Sequence, residues 1–324
     1  MVITYSRSDH HTVFYINQSP KLNNLYLGNC ATNCYAKLLV TLEKMRNRIK
    51  LLSILFVVTF SSCGQKEPPS KDVLEHKPTR VTIDKEKQEK IIAEHLKNGA
   101  WNQELYSREW QEEIDKGLAK DSTIAYLWQQ KAMPLFKQGK YEVGMEFIDK
   151  AVKYDRERWQ DYRAFIKCIF AKTYRDAIAD FQDCKKRVGN SYVMDHTYDF
   201  YIGLSYLQLN EFEKAEQIFQ KDYEYQLSKK GEDWIHHLDL FYFGISKYEQ
   251  KDYVGAIAIF DKALKRYPDF SEVQIFKADC LKKLGKIEEA KELQKLGEIN
   301  GRKGNTINED NVIYERYPYQ IRWY

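Results

Sequence analysis

Small and bulky residues alternate along this chain with a helical rhythm. From Ala125 onward small residues come in pairs: Ala132 and Gly144, Ala164 and Ala177, Gly203 and Ala215, Gly244 and Ala256, Ala278 and Ala290. The members of a pair are twelve residues apart, or thirteen in the second pair. Between them lies a short polar stretch, such as Gln138-Gly139-Lys140 or Leu284-Gly285-Lys286, and then a bulky residue: Tyr141, Tyr174, Phe212, Tyr253 or Ile287. A second bulky residue follows four positions after the second small one, at Ile148, Phe181, Phe219 and Phe260, with polar Gln294 at that place in the last unit. This spacing predicts helical hairpins. A small residue on each helix lets the two backbones approach, and the bulky ones fill the groove around the contact. Polar turns of this length suit short helix–helix connections. One hairpin cannot bury its apolar face alone, so stacked hairpins are expected.

The pattern resembles the tetratricopeptide repeat, a 34-residue helix–turn–helix family. The best unit runs from about His237 to Phe270, where Phe243, Gly244, Tyr253, Ala256, Phe260, Ala263 and Pro268 match, and the step from Gly244 to Ala278 is 34. In the first unit Trp128, Ala132, Tyr141, Gly144, Ala151 and Asp155 match. The other steps are 32, 39 and 41, so two connections are longer, and Asp222 and Gly297 stand where Ala151 and Ala263 supply a small packing residue. The fold class expected is all-α: a right-handed solenoid of about five such repeats over 125–300, capped by helices over 83–124. An aromatic tail, extended in conformation, follows over 301–324.

By resemblance, the first helix of each hairpin lines a concave groove that takes a protein or peptide ligand. That places Tyr126, Gln129, Met133 and Phe136 in the groove, then Tyr162 and Ile166, then Phe200, Leu204 and Leu207, then Leu238, Phe241, Ile245 and Tyr248, with polar Asp279, Lys282 and Lys283 last. The same residues could instead be ordinary inter-helix core. The Lys, Arg and Asn set with which some family members clamp a carboxylate terminus is largely missing, which argues against that specificity. The tail holds Val312, Ile313, Tyr314, Tyr317, Pro318, Tyr319, Ile321, Trp323 and Tyr324. Such content is too apolar for a free tail, and two readings follow: it folds onto the solenoid, or it docks on a partner.

A different pattern marks the N-terminal part. Arg46, Arg48 and Lys50 precede a mostly apolar run from Leu51 to Phe60, then Ser61, Ser62 and Cys63. A basic start, a short apolar run and small residues make a secretory signal, and the run is too short to span a bilayer, which needs ~20 residues. The ending resembles a bacterial lipoprotein signal, which implies lipid on Cys63, a place in the cell envelope, and a membrane contact there, the outer membrane being expected. Residues 45–62 are then the signal and 63–82 a polar tether containing Pro68 and Pro69. Met45 is a ready start, so residues 1–44 are expected to be an over-extended beginning. Gln65, Lys66 and Glu67 resemble a short surface-display signal.

Charge and candidate chemistry narrow the function. The formal charge is +4, yet seven of the 51 Lys/Arg and only two of the 47 Asp/Glu lie in residues 1–62, leaving 44 against 45. No nucleic-acid footprint is expected from that balance. Beyond Cys63 only Cys168, Cys184 and Cys280 remain of six cysteines, too few and odd in number for a disulfide framework; Cys168 and Cys184 could pair, or all could be buried thiols. No phosphate-cradling glycine loop or His-Glu-x-x-His helix occurs. His236 and His237 have no partners at ligand spacing along the chain, and Gly301-Arg302-Lys303-Gly304 mimics an RNA-clamping loop without its domain. Neither an enzyme, a metal nor a cofactor is expected. The expectation is a membrane-anchored, non-catalytic binding scaffold; the alternative is a structural subunit of an envelope machine such as outer-membrane β-barrel assembly.

Overall fold

A computed structural model describes residues 84–323. The signal, Cys63 and the tether lie outside the described residues. Within them the chain folds as twelve α-helices. α1 (Lys85–Ile92) runs on into a π-helical turn, and α2 (Arg108–Lys120) starts at Ser107, whose hydroxyl accepts from the Trp110 amide at 3.1 Å. These N-terminal elements bury Ile92, Leu96, Trp110 and Ile114 in a small core of their own that reaches Leu127 of the next helix.

Five hairpins follow: α3 (Ala125–Lys137) with α4 (Tyr141–Tyr154), α5 (Arg156–Ile169) with α6 (Tyr174–Val188), α7 (Tyr198–Gln208) with α8 (Phe212–Lys230), α9 (His237–Glu249) with α10 (Tyr253–Arg266), and α11 (Ser271–Lys283) with α12 (Ile287–Arg302). Each turn holds one residue in the left-handed region: Gly139, Lys172, Asn210, Lys251 or Gly285. In four of them the next amide reaches back five residues, as from Lys140 to the Leu135 carbonyl at 2.9 Å and from Asp252 to that of Lys247 at 3.0 Å. This is the Schellman closure, which satisfies helix-end carbonyls. The second turn is looser: the Thr173 amide reaches back six, to Lys167. That extra residue is the thirteen-residue spacing seen in the sequence.

The small residues do what the pattern requires. Gly144 abuts the ring of Phe136, Gly203 that of Phe219, and Gly244 that of Phe260, so closely that a Cβ at any of the three would overlap the ring. Ala132, Ala164, Ala177, Ala215 and Ala256 are fully buried between their helices. One continuous core runs from Ala125 to the tail.

The long repeat steps have separate causes. Before α7 the chain inserts a two-stranded antiparallel hairpin, β1 (Tyr192–Val193) with β2 (His196–Thr197). It docks on α8 through Asp222, which takes the small-residue position. Its carboxylate accepts from Thr197 Oγ1 at 2.8 Å, Asn190 Nδ2 at 2.9 Å and Gln226 Nε2 at 2.9 Å. The step of 41 comes from the 19 residues of α8 and a 3-10 turn at Glu232–Trp234. Gly297 leaves room for Ile275 of α11. Cys168, Cys184 and Cys280 are free and buried.

Candidate functional site

The tail folds onto the solenoid and touches every hairpin. Leaving α12 it first pairs with the start of α11, where the Ser271 amide donates to the Asn305 carbonyl at 2.9 Å. Asn308 Oδ1 meets His237 Nε2 at 3.0 Å, and Glu309 meets His196. A 3-10 turn (Asp310–Ile313) carries the chain to the first hairpin. There the Lys137 ammonium sits 4.6 Å over the Tyr314 ring, and Glu315 accepts from Tyr141 Oη and from Lys172 Nζ, the latter at 2.7 Å.

The chain then doubles back. A turn over 317–320, with Tyr319 in the left-handed region, is closed by the Arg316 guanidinium on the Gln320 carbonyl at 2.6 Å. Tyr317 is buried in the same core as Tyr201 and Tyr242. Tyr242 Oη donates to the Pro318 carbonyl at 2.9 Å, and Tyr319 Oη to Glu249 at 2.8 Å, its ring 5.8 Å from Phe276. The Ile321 amide donates to Glu272 at 3.3 Å, and Trp323 covers Gly301. The tail is thus an out-and-back strap with irregular backbone across the first helices.

This settles where the expected groove residues sit. Phe136, Ile166, Phe200, Leu204, Leu207, Leu238, Phe241 and Ile245 are buried core, the alternative the sequence left open. Tyr126, Met133, Tyr162 and Tyr248 are half-buried. Tyr126 stacks on Trp159 with centroids 5.8 Å apart, and Tyr248 donates to Asp279 at 2.9 Å, joining the inner positions of the last two hairpins. The inner-face residues that hold the tail are others: Tyr201, Tyr242, Glu249, Glu272 and Phe276. Tyr201, Tyr242 and Glu249 each lie one position from an expected residue, Glu272 is charged, and Phe276 stands three positions before Asp279 on a helix expected to turn polar.

A polar cluster lies where the strap crosses β2 and α9. His196, fully buried, stacks on Phe200 with centroids 3.9 Å apart. Its Nδ1 lies 2.6 Å from Asp239 Oδ1 and its Nε2 3.3 Å from Glu309 Oε1. Burial alone would lower the imidazole's pKa, but the two carboxylates hold it up at about 10. The same partnership keeps Asp239 and Glu309 below the ordinary carboxylate range against the opposing effect of burial. His236, at the cap of α9, is pushed down to about 4 by burial and by the neighbouring histidines. His196, His236 and Glu309 are also of the residue types that hold metals, each with one ligand atom within 4.8 Å of the others. The sequence pointed to His236 and His237 but not to partners 40 residues before and 73 after His236; only the β-hairpin and the returning tail bring them together.

Other reactive groups are built in. Burial pushes the thiols of Cys168 and Cys280 up to about 12 and that of Cys184 up to about 11, which removes thiolate at neutral pH. Arg163 and Lys167 converge on Asp180 at 2.7 and 2.8 Å, an ion cluster between α5 and α6. Among the described residues no helix is long and apolar enough to cross a membrane.

A family model described as Tetratricopeptide repeat matches residues 247–297. No curated protein matches the chain. Among solved structures it is similar to a tetratricopeptide repeat protein from Parabacteroides merdae, at 14% identity and a TM-score of 0.51 over 70% of this chain and 96% of that one. It is likewise similar to PilW, described as a widely conserved type IV pilus biogenesis factor, at 14% identity and a TM-score of 0.51 over 67% of this chain and 93% of that one. At such identity the likeness is one of fold.

Proposed function

We infer that this chain is a tetratricopeptide-repeat protein and a non-catalytic scaffold that holds a protein partner at a membrane. The observation that carries the reading is the strap itself: the inner face accommodates an irregular, aromatic polypeptide segment along all five hairpins. Backbone carbonyls and amides of the segment are met by Tyr242 and Glu272, and its rings by Phe276 and the buried tyrosines. A partner segment of similar character would compete for these groups. The reading places the membrane end at Cys63, lipidated behind its signal, with the tether lifting the scaffold off an envelope membrane, the outer one in a bacterium that has two. Stable anchoring takes more than one acyl chain, at ~0.8 kcal/mol per buried CH₂.

The test is photo-crosslinking in intact cells from probes at Tyr126 and Tyr248, in the full chain and in a chain ending at Gly304. Recovery of one partner, stronger from the shortened chain, is the expected result. Equal recovery from both chains, or crosslinks only from an outer-face probe at Val254, sinks groove binding. A Cys63→Ser chain should leave the membrane pellet; unchanged pelleting with Met45 still present refutes the anchor.

A second reading, a subunit of an envelope assembly machine, draws on a different surface. Val143, Val254 and Ile287 are exposed at the starts of the second helices α4, α10 and α12, and Trp234 stands out at 73% exposure. A strap that never leaves would make this outer face the one that partners use. A stoichiometric membrane partner recovered by gentle extraction, and lost on Trp234→Ser, distinguishes it.

A further inference from the structure

We propose that His196, His236 and Glu309 form a binding site for one divalent transition cation, zinc by chemistry, which fastens the strap to the solenoid. The three side chains come from three parts of the chain: the strand β2, the cap of α9 and the strap. Their ligand-type atoms lie within 4.8 Å of one another.

Four features favour a cation there. His196 Nε2 and Glu309 Oε1 are 3.3 Å apart. That is long for a charge-assisted hydrogen bond, which runs about 2.7–2.9 Å. It is the edge length of a tetrahedron whose metal–ligand bonds are about 2.0–2.1 Å. Asp239 Oδ1, 2.6 Å from His196 Nδ1, accepts a hydrogen bond from Nδ1–H and leaves Nε2 facing Glu309. Carboxylate support behind a histidine ligand both orients the ring and raises its basicity. Asp239 is itself fixed by Gln226 Nε2 at 2.9 Å. The rings are held from the sides as well, His196 on Phe200 at 3.9 Å and His236 at 5.0 Å from His196. Finally, two imidazoles and a carboxylate make a donor set without thiolate, which suits Zn²⁺ and other borderline divalent ions rather than Cu⁺.

One bond must be given up. His236 Nδ1 accepts from the Leu238 amide at 3.3 Å. A metal on either ring nitrogen ends that contact, since the nitrogen is then occupied or protonated. The contact is long and the amide lies in the first turn of α9, where partners are replaceable. The rival arrangement, a doubly protonated His196 donating from Nδ1 to Asp239 and from Nε2 to Glu309, uses the same atoms, and metal uptake separates the two.

Because Glu309 belongs to the strap, the cation binds only the docked form. A ligand of that kind lowers the open population by its own saturation factor, about 100-fold at a hundred times its dissociation constant.

The experiment uses the purified full chain and Co²⁺ as a spectroscopic probe, with Zn²⁺ as competitor. Expected are one equivalent bound, visible bands of a four- or five-coordinate ion, and displacement by Zn²⁺. X-ray absorption of the Zn²⁺ form should show nitrogen and oxygen ligands with two imidazoles and no sulfur. His236→Gln and Glu309→Gln should each abolish uptake with unchanged circular dichroism, while His237→Gln keeps it. Zn²⁺ should also slow tryptic cleavage in the strap of the unaltered chain, and not in His236→Gln. Absence of stoichiometric uptake by the unaltered chain overturns the proposal. So does uptake that survives both ligand substitutions, or a sulfur-containing shell. Should the variants fail to fold, the absorption spectrum of the unaltered chain still decides.

Discussion

Tyr317→Ala asks the strap how tightly it is held. The ring is buried, with 2% of the residue exposed, in the core that contains Tyr201 and Tyr242. An aromatic side chain of this kind buries about 150–250 Å², which at about 25 cal/mol per Å² is roughly 4–6 kcal/mol. Observed losses for removing a buried ring are about 3–5 kcal/mol. Two outcomes compete for that loss. If the strap docks by less than this, it leaves the inner face and the helices stay folded, so the global melt falls only by the docking free energy. If it docks by more, the whole loss appears in the melt. The assay that separates them is limited trypsin cleavage at Arg316 and Arg322, with thermal unfolding run on the same samples and on a chain ending at Gly304. When opening is fast, cleavage follows the open population. Three kcal/mol of lost docking then raises the cleavage rate about 100-fold. Saturation predicts that Tyr317→Ala and the shortened chain melt together, and that both bind more hydrophobic dye. Cleavage within about threefold of the unaltered chain, with an unchanged melt, would refute the argument from burial.

Other substitutions test the hairpins and the ion cluster. Ala256→Leu overpacks the most regular hairpin, where Ala256 is fully buried, and should cost ~1–3 kcal/mol in denaturant unfolding; an unchanged midpoint would mean the register is misassigned. Gly244→Ala should also destabilise, because the new Cβ meets the Phe260 ring, although better helix propensity returns up to ~1 kcal/mol. Burial would raise the Asp180 carboxyl, but hydrogen bonds and charge from Arg163 and Lys167 win, and its pKa is lowered. A carboxyl lowered by folding adds stability above its unfolded pKa of about 3.9 and loses it as pH falls through the folded value. Asp180→Asn should therefore cost stability at pH 7, and the gap to the unaltered chain should close in acid. A constant gap across pH 2–7 would contradict the ion-pair origin.

Hairpin register was legible because it is written in local steric terms. A glycine facing a phenylalanine, as Gly244 faces Phe260, needs only two helices and a turn, and all of its signal lies within about one repeat. The irregular steps were legible as lengths but not as causes. Asp222 looked like a flaw in the small-residue pattern, yet it is the acceptor that anchors an inserted β-hairpin through Thr197 and Asn190. The strap's docking followed from its aromatic content, but its route did not. Glu315 bonds to Lys172 across 143 residues, and no periodicity encodes a contact made once. The histidine cluster was hidden for the same reason. The sequence offers His236 and His237 side by side, and the partner that matters, His196, lies in a segment that interrupts the repeat. The groove assignment partly missed because inner and core positions alternate within a single helical turn: Phe241 is core and its neighbour Tyr242 holds the strap.

The strap also changes how this protein can fold. A helical solenoid gains stability from neighbour to neighbour, and each unit can form soon after it is made. Its contacts are short in sequence, and chains of that kind fold fast. Here Tyr141 is joined to Glu315 across 174 residues. The first hairpin therefore waits until Glu315 has been synthesised before its inner face is covered. Until then Tyr201 and Tyr242 look onto solvent, and the growing chain presents an aromatic strip of the kind that chaperones bind and aggregates recruit. Once the strap lands, an array that could fray from either end becomes a closed circuit, and its separate repeats gain a reason to melt as one.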